Sequence, residues 1–415
     1  MNNHTSASGD QSASSRPLSG VRVLAVENFL AGPFASMWLA DAGAEVVKIE
    51  SPAGGDYYRS LDPVKTGEDG AERGLSFLRA NRNKKSVTLD LTHADGKRIF
   101  KQLIAEADVL VENLRPGAMD KLGLGWPVLH EVNPQLVYVA VSGFGHKDVL
   151  PSPYTEYPAF DIVGQALSGL MYRAERQGDR PVYLGFSLAD LEGGILAAYG
   201  TMLALFQRQT TGKGKMVDIS LYDASLTLND ISIAMYSVFK QRAKPGLQGL
   251  AAPFGTYKAS DGYIVIAAAG ERIWQRFCEA IERPDLLQDE RFKDGSSRHI
   301  HLDALNANIE PWLASRTRAQ AVDALLACGV PSSKVNDVED LFDCPHVAAR
   351  NMLVTLNDPV WGPVQVPGNP IKMSDVPEAT AAHPPELGEH TGDVLRRWLS
   401  AGEDQIVDLR ARRVI

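Results

Sequence analysis

Cysteine is scarce in this 415-residue chain: Cys278, Cys328 and Cys344 are far apart and form no C-x-x-C pair. That spacing excludes a disulfide framework or a cysteine zinc site, and free thiols make a reducing cytoplasm the expected location. Long apolar runs are missing too. No stretch reaches the ~20 residues that a membrane span needs, and the segment after Asp190 comes closest. The opening M-N-N-H-T-S-A-S-G-D-Q-S-A-S-S-R has no apolar core of the signal-peptide kind, and its composition predicts disorder over 1–17. Positive charge is in deficit: 42 Lys and Arg stand against 51 Asp and Glu, a net −9. This argues against nucleic acid or an anionic membrane as partner, but leaves small anionic ligands open, because local basic clusters decide those.

Familiar phosphate motifs are incomplete. F-L-A-G-P-F-A-S-M after the first apolar run lacks G-x-G-x-x-G, although Glu50 follows at about the spacing of a ribose-binding acid. T-G-K-G-K at Thr211–Lys215 lacks the P-loop pattern and reads as a glycine turn ending a helix. G-F-S-L-A at Gly185–Ala189 imitates a nucleophile elbow and makes Ser187 a rival nucleophile, but it ends in Ala189 and no strong strand precedes it. His299-Ile300-His301 would chelate a metal only on an extended strand with further ligands; the segment reads as a solvated helix entrance, and no metal site is expected.

Alternating elements are present. A strand over Val21–Val26, a helix beginning near Pro33 and a strand over Val46–Ile49 form one βαβ unit. Strand Ser86–Asp90, helix Ala94–Ala107 and strands Val109–Glu112, Leu136–Ser142 and Met216–Leu221 continue it, predicting an α/β parallel sheet with ligands at the C-terminal strand ends. The texture changes after about Asp230, with a hairpin signal at Asp261-Gly262 followed by amphipathic helices. The expected domains are a large one over 18–228 and 351–415 and a smaller α+β one over 229–350.

From Gly193 to Gln207 no residue is charged, which predicts a helix buried nearly all round. Asp190 stands before it, where its side chain can cap the first N–H groups and the positive helix end keeps it ionised. Gly193 and Gly194 strip bulk from the first turn, so a large substrate could approach the backbone. On residues alone Asp190 is either a cap, the commoner role, or a nucleophile. Arg79, Arg82, Lys84 and Lys85 form a cationic cluster that is either a solvated loop or a patch attracting phosphates.

Several separate stretches occur together: G-V-R-V-L-A-V-E-N-F-L-A-G-P (Gly20–Pro33), L-A-D-A-G-A-E-V-V-K-I-E (Leu39–Glu50), N-R-N-K-K-S-V-T-L-D-L (Asn81–Leu91), V-E-N-L-R-P-G (Val111–Gly117), V-S-G-F-G (Val141–Gly145), T-G-K-G-K and G-E-H-T (Gly388–Thr391). From about Leu18 to its end the chain resembles the class III CoA-transferases, also called the CaiB/BaiF family, with α-methylacyl-CoA racemase as a divergent branch. The resemblance implies a Rossmann-like large domain built from N- and C-terminal parts, a small domain, and two chains interlocked as a homodimer. It implies an enzyme with acyl-CoA and a carboxylic acid as substrates, no prosthetic group, and Asp190 as nucleophile, passing through an anhydride and an aspartyl-CoA thioester. Positional carry-over puts coenzyme A against Asn28, Phe29, Leu30, Leu89, Leu91, Asn113, Arg115, Lys121, Ser142 and Phe144. Leu30, Phe144, Tyr154 and Tyr157 are expected around the acceptor, and Gly193, Gly246 and Gly249 are candidate oxyanion donors.

The chain departs from the family at two places. Ser51 stands where some members have Arg, and a run of four glycines is reduced to Gly246 and Gly249, which puts oxalate specificity in doubt. The racemase branch carries a His where this chain has Phe160, a side chain that cannot exchange a proton. Acyl-CoA racemisation and non-catalytic acyl-CoA binding are the alternative readings.

Overall fold

The computed structural model describes residues 16–68, 70, 72–174, 180–242 and 252–415. Six strands, β1 (Arg22–Val26), β2 (Glu45–Glu50), β3 (Lys84–Thr88), β4 (Val109–Glu112), β5 (Val137–Ser142) and β6 (Met216–Ser220), form one sheet in the order β3-β2-β1-β4-β5-β6. Every pairing in it is parallel. Each residue of β4 and β5 is buried, which is why these strands read as continuous apolar runs: both sheet faces are covered. β3 begins two residues before the expected Ser86, because Lys84 and Lys85 are held by carboxylates rather than by solvent.

Helices α1 (Ala31–Asp41), α2 (Leu75–Asn81), α3 (Ala94–Ala105), α4 (Asp161–Leu167), α5 (Leu188–Thr211), α6 (Leu221–Thr227), α7 (Asp230–Phe239) and α8 (Thr391–Leu399) accompany the sheet. Val23 and Ala25 of β1 face the side packed by α1 and α5, while Leu24 and Val26 face the side packed by α3 and α8, as the two-residue period of a strand requires. α8 covers the edge strand β3: Thr88 N donates to Thr391 Oγ1 at 3.0 Å, and His390 N to Ser86 O at 2.9 Å.

α5 is not buried all round. Its glycines face protein neighbours: a Cβ on Gly193 would lie 2.6 Å from Leu221, and one on Gly194 2.9 Å from the Ala31 carbonyl. They permit close helix packing and leave no opening for substrate there. The opposite face presents Ile195, Met202 and Leu203 with Tyr199 60% and Phe206 73% exposed, so the missing charge reflects an apolar surface as well as a core. At 24 residues the helix is also long and apolar enough to cross a membrane, contrary to expectation, but part of it packs on the sheet.

The chain divides into two compact units, 1–245 with 349–415, and 246–348. The first break follows α7, which therefore counts with the first unit and not with a domain starting at 229. In the second unit Phe254–Ala259 pairs antiparallel with Gly262–Ala267 around the Asp261 turn, and Ser332–Lys334 adds a third strand. Ile264, Ile266, Trp274, Phe277, Leu305 and Leu325 fill its core.

Candidate active site

The strand order reverses between β1 and β4, and at such a switch point a crevice opens beyond the C-terminal strand ends. Asn28 follows β1 and Asn113 follows β4. They clasp each other: Asn28 N donates to Asn113 Oδ1 and Asn113 Nδ2 to Asn28 O, both at 2.8 Å. Gly32 makes room, since a Cβ there would meet Asn113 Cγ at 2.9 Å. The next residue, Phe29, has φ +62°, an unfavourable conformation for a side-chain-bearing residue. Asp56 holds it, accepting from Phe29 N at 3.1 Å, Tyr58 N at 3.0 Å and Lys48 Nζ at 2.7 Å.

Beneath this turn lies a fully buried ionic core. Lys84 Nζ donates to Glu27 Oε1 at 2.8 Å, to Pro33 O at 2.9 Å and to Asn81 Oδ1 at 3.0 Å, and Glu27 stands 3.5 Å from Lys48. Burial alone would depress both ammonium groups. The carboxylates of Asp56, Glu27 and Glu50 outweigh it at Lys48, whose pKa is raised; at Lys84 burial, with the charge of Lys48, outweighs Glu27 and Asp56, and the pKa drops to about 8. Glu50 is desolvated too, yet its bidentate bonds with Arg59 bring it down to about 2.

Beside this core a pocket of about 210 Å³ is lined by Asn28, Ser51, Asp56, Leu89, Leu91 and Leu122. It thus brings together three of the residues assigned to coenzyme A. Arg115 and Lys121 lie exposed beyond β4, and neither is in an ion pair among the described residues. Ser142 caps the turn after β5 by accepting Gly145 N at 3.0 Å, and the buried Phe144 ring meets Tyr154, Tyr157 and Tyr222 at 5.6, 6.4 and 6.2 Å.

The cationic cluster is not a free loop. Arg82 is buried against Asp41 at 2.7 Å, Lys84 against Glu27, and Lys85 lies 2.8 Å from Glu45. These three stabilise the fold and are not available to phosphates. Arg79, on the last turn of α2, stands apart; its Nη2 donates to the Tyr58 hydroxyl at 3.2 Å.

Asp190 is not the cap of α5. The helix starts at Leu188, Ser187 holds the cap position without a side-chain capping bond, and Asp190 lies in the first turn. The capping carboxylate comes from α4: Asp161 Oδ1 accepts Ala189 N at 2.7 Å and Asp190 N at 3.2 Å, while its other oxygen accepts Gln165 Nε2 at 2.7 Å. Leu188 N and Leu191 N donate to the carbonyls of Phe186 and Ser187, so all four leading N–H groups of the helix are occupied. Gly193 lies a further turn in, where its N–H serves the helix ladder, and it cannot be an oxyanion donor. Gly246 and Gly249 lie outside the described residues.

Among the described residues the Asp190 carboxylate takes part in no side-chain hydrogen bond. Burial, then the charge of Asp161, push it up to about 7, against the opposing field of Arg79. The expectation that the helix end keeps Asp190 ionised therefore fails, because Asp161 already occupies that end and adds a negative charge beside it. An apolar wall adjoins: Leu30, Tyr58, Phe77 and Ala80 form a buried cluster, with Phe29 and Leu191 packed on it. Phe29 meets Tyr58 at 5.7 Å and Phe160 at 5.8 Å between ring centroids.

The rival sites lack the required frames. No strand precedes Ser187 over the described residues 180–187, and its neighbour in α4's network is Tyr183. Phe160 directly precedes α4 at its cap position, is 61% exposed, and offers no proton. His299 and Ile300 end a short helix rather than lying on a strand. Asp120, His146 and Asp148 do converge, but Lys147 pairs with Asp120 at 2.9 Å. Asp161, Asp56 and Tyr58 were not legible as site residues, since nothing in their local sequence marks a cap or a strut acting 27 to 29 residues away.

The model of CoA-transferase family III matches residues 18–391. The chain belongs to that family. It is 35% identical over 413 residues to the succinyl-CoA–L-malate CoA-transferase beta subunit of Chloroflexus aurantiacus, covering 98% of this chain and all of that one. It is 36% identical to succinyl-CoA:mesaconate CoA-transferase of Haloarcula hispanica, covering 91% and 95% of the two chains. A crystal structure of a CaiB/BaiF family protein from Brucella suis superposes with TM-score 0.81 at 31% identity, over 92% of this chain and all of that one.

Proposed function

We propose that the protein transfers coenzyme A from an acyl-CoA donor to a carboxylic acid, with Asp190 as the covalent relay. The observation that carries this reading is the Asp190 carboxylate itself: partly buried, without a side-chain hydrogen bond, and held in place by a helix that another residue caps. A structural aspartate would spend its oxygens on the helix end; this one leaves them for a substrate. Similarity to transferases acting on succinyl-CoA supports the donor class.

Asp190 attacks the donor thioester carbonyl, the C–S bond breaks and CoA leaves as thiolate, giving a mixed anhydride. The thiolate attacks the Asp190 acyl carbon, releasing the donor acid as its carboxylate and leaving an aspartyl-CoA thioester. An acceptor carboxylate then repeats both steps in reverse, and Asp190 is regenerated. Each exchange replaces one activated carboxyl by another, so no net proton or energy input is needed. The slot between Leu89, Leu91 and the neutralised Asp56 side suits a planar base, with Arg115 and Lys121 outside as phosphate contacts. Transfer is read by mass spectrometry from a panel of acids offered to succinyl-CoA and acetyl-CoA. Asp190→Asn should lose at least ~10³-fold in rate while CoA still binds; near wild-type turnover in that variant contradicts the assignment.

The working form is proposed to be an interlocked homodimer. The exposed apolar face of α5 and the exposed Ile231, Ile233, Tyr236, Val238 and Phe239 of α7 support it, because patches of that size mark interfaces.

A further inference from the structure

Most cations between Lys48 and Lys85 have a carboxylate of their own. Lys48 is bonded to Asp56, Lys84 to Glu27, Arg59 to Glu50, Arg82 to Asp41 and Lys85 to Glu45. Arg79 and Lys65 are the exceptions among the described residues from Lys48 to Lys85, and Lys65 lies over the Trp361 ring instead, 5.9 Å from its centroid. The Arg79 side chain is exposed, and its bond to Tyr58 is to a neutral hydroxyl. The guanidinium carbon stands 5.4 Å from the Tyr58 ring centroid, so the aromatic face supports it from one side. Tyr58 is itself fixed, its N–H bonded to Asp56 and its ring in the cluster on which Phe29 and Leu191 pack. Leu191 directly follows Asp190, and the fields of Arg79 and Asp190 both reach the Tyr58 hydroxyl. The result is an oriented cation with open N–H groups beside the nucleophile.

We propose that Arg79 anchors a second carboxylate on the acceptor, so that the enzyme selects dicarboxylic acids over monocarboxylic acids of the same chain length. The proposal rests on the reading of Asp190 as nucleophile. When the acceptor attacks aspartyl-CoA, its oxygen bonds to the Asp190 acyl carbon, the C–S bond breaks and the electron pair leaves with sulfur. No cation is needed for charge balance in that step. An acceptor with one carboxylate therefore meets only the wall of Phe29, Tyr58 and Leu191. A diacid pairs its far end with the planar guanidinium, which matches a carboxylate in two-point geometry, and this aims its near end at the acyl carbon. The alternative, a contact to coenzyme A phosphate, fits poorly: the phosphates lie at the far end of the pantetheine arm from the thioester, and the neighbouring cations that would share them are already paired.

The test compares succinate with butyrate and glutarate with valerate as acceptors, using acetyl-CoA so that only the acceptor carries a second carboxylate. Measurements at pH 8.5 keep Asp190 ionised. In Arg79→Met the diacid-to-monoacid ratio of kcat/KM should fall by about 50-fold, the worth of a charge-assisted pair. Arg79→Lys should restore part of it, and KM for acetyl-CoA should change less than about threefold. An unchanged ratio overturns the proposal, as does a parallel loss for both acids together with a raised KM for acetyl-CoA, which would mark a phosphate contact. If Asp190→Asn transfers CoA to these acids as fast as the wild type, the reading of Asp190 fails and this proposal fails with it.

Discussion

A carboxylate with a pKa near 7 is only partly ionised at neutral pH, yet only its ionised form attacks a thioester. Asp190 owes that value to burial and to Asp161, whose carboxylate both caps α5 and repels that of Asp190. A raised pKa means that the protonated form prevails below it, so kcat/KM for the acyl-CoA should fall tenfold per pH unit below about 7 and level off above it. In Asp161→Asn the amide oxygen can still accept from Ala189 N and Asp190 N while the charge is gone. The midpoint of the pH–rate profile should then move down by about one unit; an unmoved midpoint would show that Asp161 acts only as a cap. At this scale the sequence showed which residue to look at but not its state. Asp190 was legible from its place before an uncharged run and from the family motifs. Its charge balance was not, because it depends on Asp161, brought alongside by the packing of α4 rather than by proximity in the chain.

Elements were more legible than their junctions. β1, β4 and β5 are apolar runs because both sheet faces are covered, and hydrophobicity alone locates them. α5 was half read: an uncharged stretch cannot tell a face buried in the sheet from one left for another surface. Charge looks solvated in a sequence, so the stretch Arg79–Lys85 does not show its partners, whereas Lys84 is fully buried by groups from α1, α2 and the turn after β1. The turn after β1 shows how such partners build the site. Asp56 joins Lys48, Phe29 N and Tyr58 N, so it holds the strained Phe29 against the wall beside Asp190. Asp56→Ala should cost about 3–5 kcal/mol, since it leaves Lys48 buried with weaker compensation. Urea denaturation checks this, and a loss under about 1 kcal/mol would mean that Glu27 alone satisfies Lys48.

At the scale of the whole molecule, the Rossmann-like sheet order follows from the βαβ alternation, and closure by the C-terminal segment shows in α8 lying on β3. Whether an apolar face meets a second chain is not a local property, so the proposed dimer rests on the resemblance and on exposed apolar faces. If two chains interlock, separation requires partial unfolding and is slow. Dilution to nanomolar concentration should leave a dimer of undiminished activity for hours in analytical ultracentrifugation and assay. Folded, active monomer appearing at neutral pH rules the interlocked arrangement out.

The central claim is that Asp190 carries coenzyme A covalently. The most direct test is mass spectrometry of the protein quenched in acid after incubation with succinyl-CoA or acetyl-CoA and no acceptor, followed by peptide mapping. The account predicts an adduct of CoA joined as a thioester with loss of water, located on Asp190 and discharged when an acceptor acid is added. Turnover without any adduct at Asp190, or an acyl group found on Ser187 instead, would contradict it.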